Sequence, residues 1–294
     1  MSLKTKIQWC DSTVNPTMGC DGCEIWDAHR KTCYAGSLHV RFGGSTVGYA
    51  PTFEDVTMFP GRMAEAARWT DLAGKARPDK PWLNGLPRII FVSDMSDALS
   101  LVVTFEFLKA EIIDVVSGDL GSRHQWLWLT KRPNRMAEFS RWLAGQGVAW
   151  PGNLWAGTSV TSRATTSRIR HLLEVGDDRT MRFLSVEPQV EAIDLTPWLP
   201  KLDWIIQGGE SGRKARPFDL AWAESMTERT QMHCVPLFIK QLGSSVEVGG
   251  VPTTFDDNHA GDWSEWPERV RVRTMPILPK RAADQTNPNS GSVV

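Results

Sequence analysis

The chain has 294 residues, 41% of them hydrophobic, which is enough for one large α/β domain or two small ones. With 33 basic against 34 acidic residues the formal net charge is -1, which excludes the strongly basic balance of a general nucleic-acid binder but leaves room for a local basic groove. No run approaches the roughly 20 apolar residues of a membrane span, and residues 1–6 lack the apolar core of a secretion signal, so no membrane contact and a cytoplasmic location are expected. Five cysteines, three of them within 14 positions, do not form the pattern of a secreted disulfide framework and point to a metal or redox site in a reducing compartment.

In chain order, a first strand is predicted near residues 7–10. Residues 36–87 do not fit the repeat that follows, and are expected to form a long first helix and an insertion over the site. From residue 88 onward one unit recurs: a short β-rich run ends in a polar cluster, and a helical stretch follows. The runs are 88–92 (RIIFV), 125–129 (QWLWL), 153–157 (NLWAG), 182–186 (RFLSV), 204–207 (WIIQ) and 236–239 (PLFI). Helical spacing of apolar residues predicts helices over 104–116, 134–144, 163–175 and 220–233. Buried strands alternating with helices imply right-handed crossovers and a parallel sheet. About seven strands close naturally into a barrel or partial barrel, with an open doubly wound sheet as the competing topology. The expected organisation is a barrel over 1–242, an appendage over 243–279, and a disordered Asn-, Ser-, Gly- and Pro-rich tail over 280–294.

In either topology the polar clusters fall at the carboxyl ends of the strands, where sites are assembled. The cysteine segment follows the first strand and belongs to the same edge. Cys20, Cys23 and Cys33 can hold three irons of a [4Fe-4S] cluster and leave the fourth open to the amino and carboxylate groups of S-adenosylmethionine. Zinc is the rival, because Cys20, Cys23, His29 and Cys33 also make a legitimate tetrahedral set. Cys10 and Cys234 read as small hydrophobes. The stretch 208–212 (GGESG) lacks the Gly-Lys-Ser/Thr ending of a P-loop, which excludes nucleoside triphosphate hydrolysis by that route.

Several ordered segments carry a resemblance: 7–20 (IQWCDSTVNPTMGC), 33–35 (CYA), 91–97 (FVSDMSD), 129–133 (LTKRP), 184–188 (LSVEP), 208–212 (GGESG), 238–243 (FIKQLG) and 261–273 (GDWSEWPERVRVR). Together they resemble a phage and prophage family described by its three-cysteine motif and regarded as radical-SAM-like. The resemblance covers about residues 5–279. It implies an α/β fold, a partial parallel (β/α) barrel of the radical SAM type, with Cys20, Cys23 and Cys33 as cluster ligands. The spacing here is C-x2-C-x9-C rather than C-x3-C-x2-C, so the residues between Cys23 and Cys33 must loop out, and His29 stands as the alternative to Cys23. By position in such a barrel, Ser93, Asp94, Ser96 and Asp97 receive the amino group or ribose of S-adenosylmethionine. Lys131 and Arg132 hold its carboxylate, Thr158 and Ser159 contact the ribose, and Glu187 and Glu210 face the substrate as catalytic candidates.

The resemblance implies a radical enzyme that takes electrons from an external donor and modifies or rearranges a nucleobase of phage DNA, a hypermodified base included, with DNA or a nucleotide as substrate. A basic strip of Arg62, Arg68, Lys75, Arg77 and Lys80 is the feature that a DNA substrate predicts. Repair of damaged DNA, similar to spore photoproduct lyase, is a second expectation. A non-catalytic, zinc-stapled phage protein that binds a host factor is a third.

Overall fold

A computed structural model describes residues 1–44 and 46–277; the expected tail over 280–294 lies outside them. Seven parallel strands form the centre: β1 (Ser12–Val14), β2 (Ile89–Val92), β3 (Gln125–Thr130), β4 (Leu154–Ser159), β5 (Arg182–Val186), β6 (Trp204–Gly208) and β7 (Leu237–Gln241). They lie side by side in chain order. The sheet curls into a half-barrel, and among the described residues its first and last strands do not pair with each other.

Side chains alternate along each strand, so each strand feeds two cores. The outward set, including Ile90, Trp126, Trp128, Leu184 and Ile205, packs under the helices. The inward set fills the barrel with aromatic rings: Phe91, Trp155, Phe183, Trp204 and Phe238. Trp204 lies at the centre, 6.0 Å from Trp155, 5.9 Å from Phe183 and 6.1 Å from Phe238 between ring centroids. Gly157 makes room in that layer, because a Cβ there would stand 2.2 Å from the Phe183 ring.

The expected first strand is displaced. Residues 7–10 form a turn, not a strand, and β1 begins at Ser12. Trp9 and Cys10 join the interior aromatic cluster, so the apolar run that reads as a strand is a plug in the barrel. The two sheet edges are covered by short antiparallel contacts, Ser2 with Thr13 and Arg273 with Phe238, which removes exposed pairing surface. Arg273 stacks on Trp82 at 4.7 Å and Trp263 at 5.0 Å, and donates to the carbonyls of Lys240 at 2.9 Å and Gly261 at 2.8 Å. The 246–277 segment is thereby fastened to the last strand. Its Trp266 and Val270 lie in the outer core.

The helices fall near their predicted places, at Pro133–Gly145 and Leu220–Met232. Residues 163–175 are shorter in helix than expected, with a 3-10 turn at Arg163–Thr165 and an α-helix only over Arg168–Leu172. The stretch after β2 contains a π-helical turn, Lys109–Ile113. Buried Glu111 in that turn accepts the backbone N–H groups of Gly61 at 2.8 Å and Met63 at 2.9 Å, satisfying the open start of the helix Arg62–Ala67.

Candidate functional site

A cavity of about 960 Å³ opens at the carboxyl ends of the strands. Cys20, Cys23 and Cys33 all line it, and none is in a disulfide. Gly19 and Gly22 take left-handed backbone, φ +89° and +94°, to turn the chain around Cys20. A Cβ on Gly19 would stand 2.7 Å from the Phe53 carbonyl, which itself accepts the Cys20 N–H at 2.6 Å. Cys23 and Trp26 exchange backbone hydrogen bonds at 3.0 and 2.9 Å, and the Cys33 N–H reaches the Ile25 carbonyl at 3.0 Å. The extra residues therefore do loop out. Their tip, residues 27–30, is exposed, and His29 does not line the cavity. Cys33 then opens the helix Tyr34–Phe42.

Arg132 Nη1 lies 3.8 Å from Cys20 Sγ, and the backbone at Gly22 and Ile25 favours the Cys20 and Cys23 thiolates. Burial pushes Cys20 up to about 11; Asp97 adds to the shift, and Arg132 opposes it. Burial also raises Cys23, against the nearby charge of Lys131. Among the described residues, no three His, Cys, Asp or Glu side chains are grouped as ligands of one metal ion.

Charge ties the cysteine loop to the sheet. Arg132 pairs with Asp21 and with Asp97 at 3.0 Å, and donates to the Gly22 carbonyl at 2.8 Å. Asp97 also accepts the Thr130 hydroxyl at 2.9 Å and the N–H groups of Lys131 and Leu99 at 3.1 and 3.0 Å. Farther along, Arg168 grips Glu24 with two bonds of 2.9 and 2.7 Å. Burial alone would raise the Glu24 carboxyl, but Arg168 more than offsets it and holds the group down to about 2.

The predicted residues mostly converge on this cavity. Ser93, Asp94, Ser96, Asp97, Lys131, Arg132, Ser159, Glu187 and Glu210 line it. Thr158 does not; its buried hydroxyl donates to the Thr130 carbonyl at 2.8 Å within the sheet. Ser93 has left-handed backbone, φ 73°, and a buried hydroxyl with no partner among the described residues. Such strain persists where surrounding structure imposes it, and it clusters at ligand sites. Asp94 is raised by burial, opposed by a 2.6 Å hydrogen bond from Asn15. Lys131 makes no ion pair among the described residues, whereas Glu210 is held by Arg216 through bonds of 2.8 and 2.9 Å. Glu187 pairs with Lys240 across the intervening strand. Gly208 lies beneath the pair, where a Cβ would stand at ordinary contact, 3.4 Å, from the Glu187 side chain.

The basic strip is not formed as expected. Arg77 is buried against Asp11, with Nε to Oδ1 at 3.1 Å. Lys80 donates to the carbonyls of Thr5, Ile7 and Cys10 at 2.6–2.8 Å. Arg62 donates to the carbonyls of Asn15 and Gly48 and lies over the Phe59 ring. These cations brace the insertion; only Arg68 and Lys75 of the five are exposed. Sequence reasoning missed Gln8 and Trp9, hidden inside the expected first strand, and Asp257, His259 and Gly261, which reach the cavity from the C-terminal segment. Lys240 had a signal, as the polar end of a strand run.

The fold and site define a curled parallel (β/α) half-barrel with a cysteine-walled cavity at its carboxyl edge. A family model described as "Protein of unknown function (DUF5131)" matches residues 4–283, and the chain belongs to that family. No curated protein and no solved structure is significantly similar to it. No helix among the described residues is long and apolar enough to cross a membrane.

Proposed function

We propose that this chain is an iron–sulfur enzyme of the radical S-adenosylmethionine type that modifies or rearranges a nucleobase, in keeping with the phage-family resemblance. The observation that carries the reading is the placement of three free cysteines on one wall of the strand-end cavity, with the Arg132 guanidinium donating toward the Cys20 sulfur. Hydrogen bonds to thiolate sulfurs are a principal means by which proteins tune iron–sulfur clusters. Cys20, Cys23 and Cys33 hold the cluster in this reading. When bound, it supplies an electron that breaks a carbon–sulfur bond of S-adenosylmethionine and leaves a carbon radical.

The chain's own residues hold and shield. Arg132 fixes the loop that carries Cys20 and Cys23, so its carboxylate-binding role passes to its neighbour Lys131, which makes no ion pair among the described residues. Ser93 and Ser159 offer hydroxyls to the same cavity, and Asp94 offers a carboxylate acceptor. Phe91, Leu129 and Ile25 give the cavity apolar walls that exclude water from a reactive species. Because the internal cations of the insertion are occupied, a base presented as a nucleotide or on a single strand suits the site better than one within duplex DNA. An external reductant and a reducing, cytoplasmic setting complete the reading.

The test is metal and sulfide content of protein purified without oxygen. About four irons and four sulfides per chain are expected, lost on substitution of Cys20, Cys23 or Cys33 by Ala, together with cleavage of S-adenosylmethionine under reduction. A colourless protein holding one zinc overturns the proposal and favours the structural staple.

A further inference from the structure

Residues 208–216 read GGESGRKAR and carry the chain from the end of β6 to the rim of the cavity. Buried Glu210 clamps this stretch on itself. Its carboxylate accepts the Arg216 N–H at 3.0 Å and the Arg216 guanidinium at 2.8 and 2.9 Å. Ser244 braces it from outside: its N–H reaches the Glu210 carbonyl at 2.9 Å, and its hydroxyl accepts the Gly212 N–H at 3.0 Å. Gly212 has φ +111°, and the Ala215 N–H closes a turn onto the Gly212 carbonyl at 3.1 Å. Arg213 and Lys214 are the two central residues of that turn.

What the turn presents is donors. Ser211, Gly212, Arg213 and Lys214 are exposed, and Ser211 lines the cavity. The N–H groups of Ser211, Arg213 and Lys214 make no hydrogen bond among the described residues, and neither cation meets a carboxylate there. The carboxylates close by are committed elsewhere, Glu210 to Arg216 and Asp257 to the N–H groups of His259 and Gly261 at 3.1 and 2.8 Å. His259 lines the cavity beside the turn, with Nδ1 3.0 Å from Ser244 Oγ. Burial alone would raise the Glu210 carboxyl; Arg216 more than offsets it, and the charge of Arg30 adds to the lowering. The tip of the cysteine loop therefore brings a third cation toward the same place.

We infer that the turn centred on Arg213 and Lys214 binds a phosphate group, on a molecule whose remainder enters the cavity. Successive N–H groups in a turn make a concavity for an anion. Arg adds a planar fork of donors and Lys a compact charge. A phosphate spreads its oxygens tetrahedrally and can meet guanidinium, ammonium and backbone together, whereas a carboxylate offers two oxygens in one plane. Gly212 is required because its left-handed backbone disfavours any side chain. The inference concerns what anchors a ligand at the mouth, and it depends neither on the cysteines nor on the reaction they support.

The test is calorimetric titration of anaerobically purified full-length protein with glycerol phosphate, with glycerol as its uncharged match, and with a short single-stranded oligothymidylate, alongside metal analysis. Glycerol phosphate or the oligomer is expected to bind, glycerol is not, and affinity should fall with added salt. Replacing both Arg213→Ala and Lys214→Ala is expected to weaken binding at least about tenfold with melting temperature unchanged, because both side chains are exposed. Gly212→Ala keeps both cations and disfavours the backbone they stand on, and is expected to weaken binding as well. Tighter binding of glycerol phosphate marks a terminal phosphate and tighter binding of the oligomer a diester chain; either supports the site. Absence of binding by both phosphate probes overturns it, as does a double variant that binds like the parent. Binding untouched by Gly212→Ala also overturns it, leaving only a loose patch of charge. Four irons without phosphate binding sinks this site alone, and phosphate binding by a zinc-containing protein sinks the radical reading alone.

Discussion

The two walls of the cavity are held by different forces. The sheet wall stands on a ring-filled barrel interior, where Phe91, Trp155, Phe183, Trp204 and Phe238 exclude water; burying each large apolar side chain contributes about 1.5–3 kcal/mol. The cysteine wall has a small core of its own, Trp26, Ala35 and Phe53, and is tied down by Arg132 to Asp21, Arg168 to Glu24, and Lys31 to Glu54. A wall held by charge can be opened without unfolding the barrel, and under the proposed function a loop that takes up a cluster gains from that separation. Stability is then local, with the cysteine loop at the low end.

The largest effect that separates the walls is expected from Arg132→Ala. It removes the bonds to Asp21 and Gly22 and leaves Asp97 with an uncompensated charge. Breaking a buried pair costs about 3–5 kcal/mol; Arg132 is 17% exposed, so a loss near the lower bound is expected. Hydrogen exchange should quicken over residues 19–33 while β3 to β6 stay protected, and iron retention should fall. A variant with full protection of the loop would show that the small aromatic core alone suffices, and the contrast between the walls would fail.

Gly157→Ala strikes the other wall. The added methyl meets the Phe183 ring and forces the interior layer apart, at about 1–3 kcal/mol for overpacking. Melting temperature should drop, yet metal content at ambient temperature should match the parent. Loss of metal together with stability would mean that the two walls fold as one unit.

Smaller still is the response to acid. Glu24 is held down to about 2 from an ordinary 4.5 by Arg168, so its contribution is fully present above about pH 4.5. It is lost as pH falls toward 2, and the loop's attachment at Arg168 weakens across that window. Exchange in residues 20–33 should therefore rise earlier on acidification than in β3–β6. Glu24→Gln should show the faster exchange already at pH 6, with a flatter dependence below it.

The same division decides what the sequence reveals. The sheet wall is legible because its information is local: apolar runs such as RIIFV and QWLWL end in polar clusters, and the strands begin and end within a residue or two of those runs. Residues 7–10 mislead for a local reason too, since a plug packed among aromatic rings has the same apolar texture as a strand. The cysteine wall is legible in its cysteines but not in its supports. Asp21 and Glu24 find their arginines 111 and 144 positions away, and no spacing rule announces such partners. The cations of the insertion mislead likewise: Arg77 and Lys80 look like solvated surface until Asp11 and a set of backbone carbonyls are seen to hold them.

The smallest expected effect concerns His29, and it sharpens the comparison most cheaply. On spacing, His29 competes with Cys23 as the ligand between Cys20 and Cys33. In the folded loop it sits at the exposed tip that Asp27 organises, with the His29 and Arg30 N–H groups both 2.7 Å from the Asp27 carboxylate. Cys23 is drawn to the cavity by the backbone exchange with Trp26. A side chain at the tip lies outside the cavity and has no route to the wall unless the turn unfolds. His29→Ala should thus leave metal content, colour and melting temperature within error of the parent, while Cys23→Ala loses the metal. If the two variants behave the other way round, the loop changes its fold to take up metal, and the charge-held wall becomes a switch between two sets of ligands.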